Sequence, residues 1–136
     1  MLVIEDNKAD VFLIRDALRT AGIDAHVDVV TDGEAAVKFF DRADEDPAGI
    51  CPSIVILDLN LPRKRGVDVL RHMRQSQRCA GALVLVVTSS DSNQDRETAL
   101  QLGANGYFRK PSAYDRYMEL GDVVLQLLAG NSATSD

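Results

Sequence analysis

The chain has no apolar run approaching the roughly 18 residues that a membrane-spanning helix needs. Its start, Met1-Leu2-Val3-Ile4-Glu5-Asp6, has neither the basic region nor the cleavage site of a signal peptide. A basic surplus is missing too, since 15 Lys and Arg stand against 21 Asp and Glu for a formal net charge of −6. That balance disfavours nonspecific binding to nucleic acid or to an anionic membrane, while leaving room for a local basic patch. Cysteine and histidine are scarce, two of each. Cys51 and Cys79 form no C-x-x-C pair and are expected to be reduced structural thiols in a cytoplasmic protein. His26 and His72 share no ligand spacing with each other or with the cysteines, which argues against a zinc site. No repeat or low-complexity tract breaks the 136 residues, so one domain is expected over 1–130, followed by a polar, disordered tail over 131–136.

What the sequence does have is concentrated in Ser53-Ile54-Val55-Ile56-Leu57-Asp58-Leu59-Asn60-Leu61-Pro62. An unbroken Ile- and Val-rich run reads as a strand buried on both faces. Pro62 cannot extend the ladder, so the strand ends near Asp58, with a carboxylate held at its tip. Open α/β sheets place their chemistry at such strand ends. An Asp that merely caps the next helix is the plainer alternative.

Strand-like runs alternate with segments of helical period along the whole chain. Leu2-Val3-Ile4 is a short first strand, and Val11, Ile14, Leu18 and Ala21 mark a helix that Gly22 can stop. His26 to Val30 is the second strand. Thr31-x-x-Glu34 suits a capping box for a helix burying Ala36, Val37 and Phe40, and Asp41 to Pro52 reads as a solvated loop. Val67, Leu70 and Met73 give a third helix, Ala82 to Thr88 a fourth strand buried on both faces. Ser92 to Leu102 is helix-compatible, but its sizeable apolar residues are only Leu100 and Leu102, so it should be held loosely. Gly106 to Arg109 is a fifth strand, and Ser112-x-x-Asp115 can cap a last helix running to about Ala129. Five strands alternating with five helices imply an α/β fold with a doubly wound parallel sheet.

Polar residues cluster where these strands end: Glu5 and Asp6 after the first, Asp58 after the third, Thr88 and Ser89 at the fourth, Lys110 after the fifth. Neighbouring strands bring them to one edge. Three acids in one pocket repel, and a hard divalent cation such as Mg²⁺ resolves that conflict, with Asn60 able to add a backbone carbonyl. Asp58 beside a metal stays ionised and can attack phosphorus, Lys110 can meet a phosphoryl oxygen, and the Thr88 hydroxyl another. Singly, each residue also has an ordinary explanation: Glu5-Asp6 as a helix cap, Thr88 satisfying a backbone group, Lys110-Pro111 as a solvated strand end. Their joint occurrence is what carries the chemistry.

With Glu5-Asp6, Leu57-Asp58-Leu59-Asn60-Leu61-Pro62, Gly66, Val87-Thr88-Ser89, Gly103-Ala104, and Tyr107 followed by Lys110-Pro111, the chain resembles the receiver domains of two-component response regulators over about Leu2 to Leu128. The resemblance implies a flavodoxin-like sheet of strand order 2-1-3-4-5. It also implies that Asp58 accepts a phosphoryl group from a sensor histidine kinase, with Mg²⁺ on Glu5, Asp6, Asp58 and the Asn60 carbonyl. Thr88 and Lys110 would contact the phosphoryl group and Tyr107 would report the state by a rotamer change, while Asn60 and Ser90 would tune dephosphorylation. Such a protein promotes its own phosphorylation and dephosphorylation but is not an enzyme on an external substrate; it signals through protein contacts or phosphorelay. Glu5-Asp6-Asn7-Lys8-Ala9-Asp10 and the long loop before the third strand resemble the stand-alone receivers that partner phytochrome-type kinases. Two departures stand out. The chain begins almost inside its first strand, so the true start lies upstream or that strand is short. Arg63-Lys64-Arg65 precedes Gly66, either as a solvated loop or as a basic rim that selects the kinase.

The loosely held fourth helix beside Tyr107 suggests a switch in which Thr88 moves toward the phosphoryl oxygens and Tyr107 fills the space it leaves. In the last helix Tyr117, Leu120, Val124, Leu127 and Leu128 supply an inward stripe, yet Tyr114, Met118, Val123 and Leu125 are apolar too. A homodimer through this helix is one explanation, a broad core contact the other. Alternatives to a working receiver are a degenerate one used as a binding module, and a phosphatase of the haloacid-dehalogenase type. The latter normally carries a second Asp two residues after the nucleophile, where this chain has Asn60. A flavodoxin-like electron carrier would need a phosphate-cradling loop after the first strand, and none follows.

Overall fold

The computed structural model describes residues 1–130 with their side chains and 133–135 as backbone. Strands β1 (Leu2–Ile4), β2 (Asp28–Val30), β3 (Ile54–Leu57), β4 (Leu83–Thr88) and β5 (Gly106–Arg109) form a parallel sheet of order β2-β1-β3-β4-β5. The tail expected at 131–136 falls partly outside the described residues; of it, Ala133–Ser135 runs as a short parallel strand, β6, beside β5. Helices α1 (Lys8–Thr20), α2 (Gly33–Glu45), α3 (Gly66–Arg74) and α4 (Asn93–Gln101) follow the first four strands. The fifth helix comes in two pieces, α5 (Tyr114–Tyr117) and α6 (Leu120–Leu128). Among the described residues no helix is long and apolar enough to cross a membrane.

The period-two geometry of β3 explains why its apolar run is unbroken. Ile54 and Ile56 face one layer, with Ile14, Leu18, Leu120, Val124 and Leu127 from α1 and α6. Val55 and Leu57 face the other, with Phe40 from α2 and Leu70 and Met73 from α3. Each such side chain contributes about 1.5–3 kcal/mol by leaving water.

Several local expectations are corrected. The N-cap of α2 is Asp32, whose carboxylate accepts from Ala35 N at 2.8 Å, instead of Thr31, and that helix runs on to Glu45 through part of the expected loop. Asp is as good a cap as Thr, and the extended backbone of Asp32 aims its carboxylate at the free N–H groups. The second strand begins at Asp28, two residues later than expected. Ser112 does not cap the last helix: α5 starts after Ala113 with no side-chain cap. Leu128 points out of the inward stripe, at 42% exposure. Gly22 does end α1, at φ 77°, with Ile23 N returning to Leu18 O at 2.9 Å. In α4 only Ala99 is buried, as its thin apolar content requires.

The largest correction concerns the thiols. Cys51, in the loop before β3, and Cys79, in the turn after α3, are joined as a disulfide with Cα atoms 5.4 Å apart. Sequence spacing could not show this, because the two positions meet only when β3 and β4, which they precede, pair side by side in the sheet. Asp44 reinforces the junction, accepting from Ser76 Oγ at 2.7 Å and Arg78 N at 3.0 Å.

Candidate functional site

The strand ends build the site through backbone pairing that continues one residue past each strand. Glu5 N donates to Val30 O (2.9 Å), Asp58 N to Ile4 O (3.0 Å) and Lys110 N to Thr88 O (2.8 Å). Each functional side chain therefore starts from a backbone fixed by the sheet. Beyond Asp58 the chain turns sharply: Asn60 N donates to Asp58 Oδ1 at 3.0 Å, and Gly66 N returns to Leu59 O at 3.0 Å. Gly66 is required there, because a Cβ would lie 2.5 Å from Leu59 Cα and against the Asp58 carbonyl. Asn7, rather than Glu5 or Asp6, caps α1, its side chain accepting from Asp10 N at 3.1 Å, which leaves both acids for the site.

Glu5, Asp6 and Asp58 can each offer a carboxylate oxygen within 4.8 Å of the others. Glu5 and Asp58 are buried and Asp6 is exposed, so the cluster opens to solvent on one side. Burial, with the charge of Asp58 nearby, pushes the Glu5 carboxyl up to about 7 against the pull of Lys110. Hard carboxylate oxygens with an open side fit a divalent cation that keeps some of its water.

Lys110 Nζ reaches Glu5 Oε1 at 2.7 Å, Asp10 Oδ2 at 2.9 Å and Asp58 Oδ2 at 3.0 Å. Burial alone would lower its pKa; the hydrogen bonds to Glu5 and Asp10 and the charge of Asp58 outweigh that and hold it above the usual lysine range. Thr88 is fully buried, with its hydroxyl accepting from Ser90 N at 3.2 Å. Ser90 Oγ in turn lies 3.2 Å from Asp95 Oδ2, at the start of α4. Tyr107 is 2% exposed and packs in the core layer with Val86 and Ala99, and the Arg96 guanidinium lies 5.3 Å from its ring centroid. Asn60 is exposed beside Asp58. The basic run is tied to neighbouring acids: Arg63 to Glu34 (3.7 Å) and Asp32 (4.0 Å), and Arg65 to Asp95 (3.1 Å).

Sequence reasoning missed two members of the polar network. Asp10 lies one turn into α1 and holds Lys110, and the Tyr117 hydroxyl donates to Asp10 Oδ1 at 3.1 Å. The available signal was a tyrosine inside an otherwise aliphatic inward stripe, since a buried phenol needs a polar partner.

The parallel sheet has the 2-1-3-4-5 order of the flavodoxin-like architecture, and acids, a hydroxyl and a lysine stand together at its C-terminal edge. Residues 1–120 match the model of the response regulator receiver domain, and the chain belongs to that family. It is 34% identical over 110 residues to response regulator Rcp1 of Synechocystis sp., covering 81% of this chain and 75% of Rcp1. The crystal structure of Mn²⁺-bound Rcp1 superimposes with a TM-score of 0.81 at 31% identity, covering 93% of this chain and 92% of the other. The phosphorylated cyanobacterial phytochrome response regulator RcpA gives a TM-score of 0.82 at 27% identity, covering 94% and 91%. The receiver domain of sensor histidine kinase PA1611 from Pseudomonas aeruginosa, with magnesium in its active-site cleft, gives 0.71 at 28% identity, covering 96% of each chain.

Proposed function

We propose that this chain is a response regulator receiver that takes a phosphoryl group onto Asp58 from a sensor histidine kinase. A carboxylate oxygen of Asp58 forms the new O–P bond as the N–P bond of the kinase phosphohistidine breaks. The imidazole nitrogen leaves with the electron pair and takes up a proton from solvent. Glu5, Asp6, Asp58 and the Asn60 carbonyl are the residues that would hold Mg²⁺, which when bound neutralises charge on the acids and on the transferring group. Lys110 orients toward the incoming oxygens, and the Thr88 hydroxyl, which accepts from Ser90 N, keeps its own proton to donate to another. The observation that carries this reading is the 3.0 Å contact between Lys110 and Asp58 at an edge where Glu5 and Asp6 also converge.

By this reading Thr88 and Tyr107 are the switch pair, Tyr107 filling the space that Thr88 leaves on phosphorylation, and Asn60 and Ser90 tune hydrolysis from either side of Asp58. The chain promotes its own phosphorylation and dephosphorylation without acting on an external substrate. The description of RcpA as a phytochrome response regulator supports a phytochrome-type kinase as the partner. Output passes to a downstream protein or phosphotransfer partner. A cytoplasmic location follows from that partnership and no longer from the cysteines. Homodimerisation through the C-terminal helix is supported by the outward-facing Leu125 and Leu128. The deciding experiment is intact mass after incubation with acetyl phosphate, with and without Mg²⁺, on wild type and Asp58→Asn. One Mg²⁺-dependent adduct absent from Asp58→Asn supports a working receiver; no adduct under any condition leaves the degenerate, non-phosphorylated binding module.

A further inference from the structure

Lys110 has three ammonium protons and three carboxylate partners, so its donors are saturated. Two of those partners, Glu5 and Asp58, belong to the acid cluster that could hold a metal ion. Asp10 does not. It stands on α1 and spends its other oxygen on the Tyr117 hydroxyl of α5. Tyr117 is 2% exposed, with its ring packed beside Phe108 of β5, so its hydroxyl has little freedom to find another acceptor. Burial, with the charge and hydrogen bond of Asp10, holds the phenol above its ordinary pKa, so it remains a donor.

Resting on the phosphoacceptor reading above, we infer that Asp10 and Tyr117 form a relay that positions the Lys110 ammonium for phosphoryl transfer and ties α5 to the phosphorylation site. When a phosphoryl oxygen draws one donor of Lys110 away, the Asp10 carboxylate is the tether that remains. Its other oxygen passes the change to Tyr117. This route into α5 is separate from Thr88 and Tyr107, which act through β4 and β5. Asp10 and Tyr117 touch no reacting atom and are positioning residues. Losing the tether lets the ammonium wander, and misplaced catalytic groups cost rate.

The test combines rates with a spectroscopic reporter on the full chain. Adduct formation from acetyl phosphate with Mg²⁺ is followed by intact mass for wild type, Asp10→Asn, Tyr117→Phe and the double variant. In parallel, the protein is labelled with 3-fluorotyrosine, and its three tyrosines are assigned by single Phe substitutions. Each single variant is expected to be slowed about fivefold, with the double variant no slower than Asp10→Asn, because residues acting through one network are non-additive. The Tyr117 fluorine resonance should shift on phosphorylation of wild type and stay put in Asp10→Asn. Singles as fast as wild type, additive losses, or a Tyr117 shift that persists in Asp10→Asn would each overturn the relay while leaving Asp58 as the acceptor. Absence of any wild-type adduct overturns both. Should Asp10→Asn fail to fold, Tyr117→Phe, which removes one oxygen, decides alone: wild-type rate sinks the relay and a loss sustains it.

Discussion

Lys110 Nζ lies 3.0 Å from Asp58 Oδ2 while also bonding Glu5 and Asp10, so one cation holds three carboxylates together. Lys110→Met should therefore destabilise the metal-free protein by about 3 kcal/mol, the cost of leaving buried charge without its partner. Added Mg²⁺ should recover part of the loss, and the Mg²⁺-dependent gain should exceed that of wild type. Urea denaturation with and without Mg²⁺ checks both; equal gains in the two proteins would show that Lys110 and the cation site are independent.

Gly66 meets the backbone of Asp58 and Leu59 where a Cβ would stand. Gly66→Ala should cost about 1–3 kcal/mol through overpacking, and should slow Asp58 phosphorylation more than a core substitution of equal cost. Comparing adduct rates in Gly66→Ala and an equally destabilised Leu70→Val separates displacement of Asp58 from general loss of stability.

The Cys51–Cys79 disulfide closes a segment of 28 residues spanning β3 and α3. Reducing it should lower stability by about 3–4 kcal/mol on the loop-entropy relation. Alkylation before reduction should add no mass and after reduction should add two groups. Ready alkylation of the purified protein without reductant would restore the reduced thiols expected from spacing.

Asp44 is held below the usual carboxylate range, first by the Ser76 hydroxyl and then by the Arg78 and Gln77 amides. A depressed native pKa contributes stability above the unfolded value, near 3.8, that is lost as pH falls through the native value. The stability difference between wild type and Asp44→Ala should thus be largest above about pH 4 and shrink in more acidic solution. A difference independent of pH would assign the effect to packing alone.

The strands and the acids at their ends were legible in the sequence because each rests on local pattern, while the sheet order came from the resemblance to receiver domains. A run such as Ile54 to Leu57 has no stable place except between two layers, and whatever follows it must emerge at the sheet edge. Glu5, Asp58 and Lys110 converge once β1, β3, β4 and β5 lie side by side in that order. Capping was less legible, since Thr31 and Asp32 are adjacent and both qualify; backbone direction chose Asp32. The break between Tyr117 and Leu120 likewise leaves no mark in the apolar period.

What only the tertiary structure decided are the pairings between elements distant in sequence: Cys51 with Cys79, Asp44 with Ser76, Tyr117 with Asp10, and Asp10 as a third partner of Lys110. Hydrophobic periodicity is a property of one segment and survives in the sequence. A hydrogen bond or disulfide between segments depends on distances of a few ångströms set by how two helices pack, and no single segment carries that information.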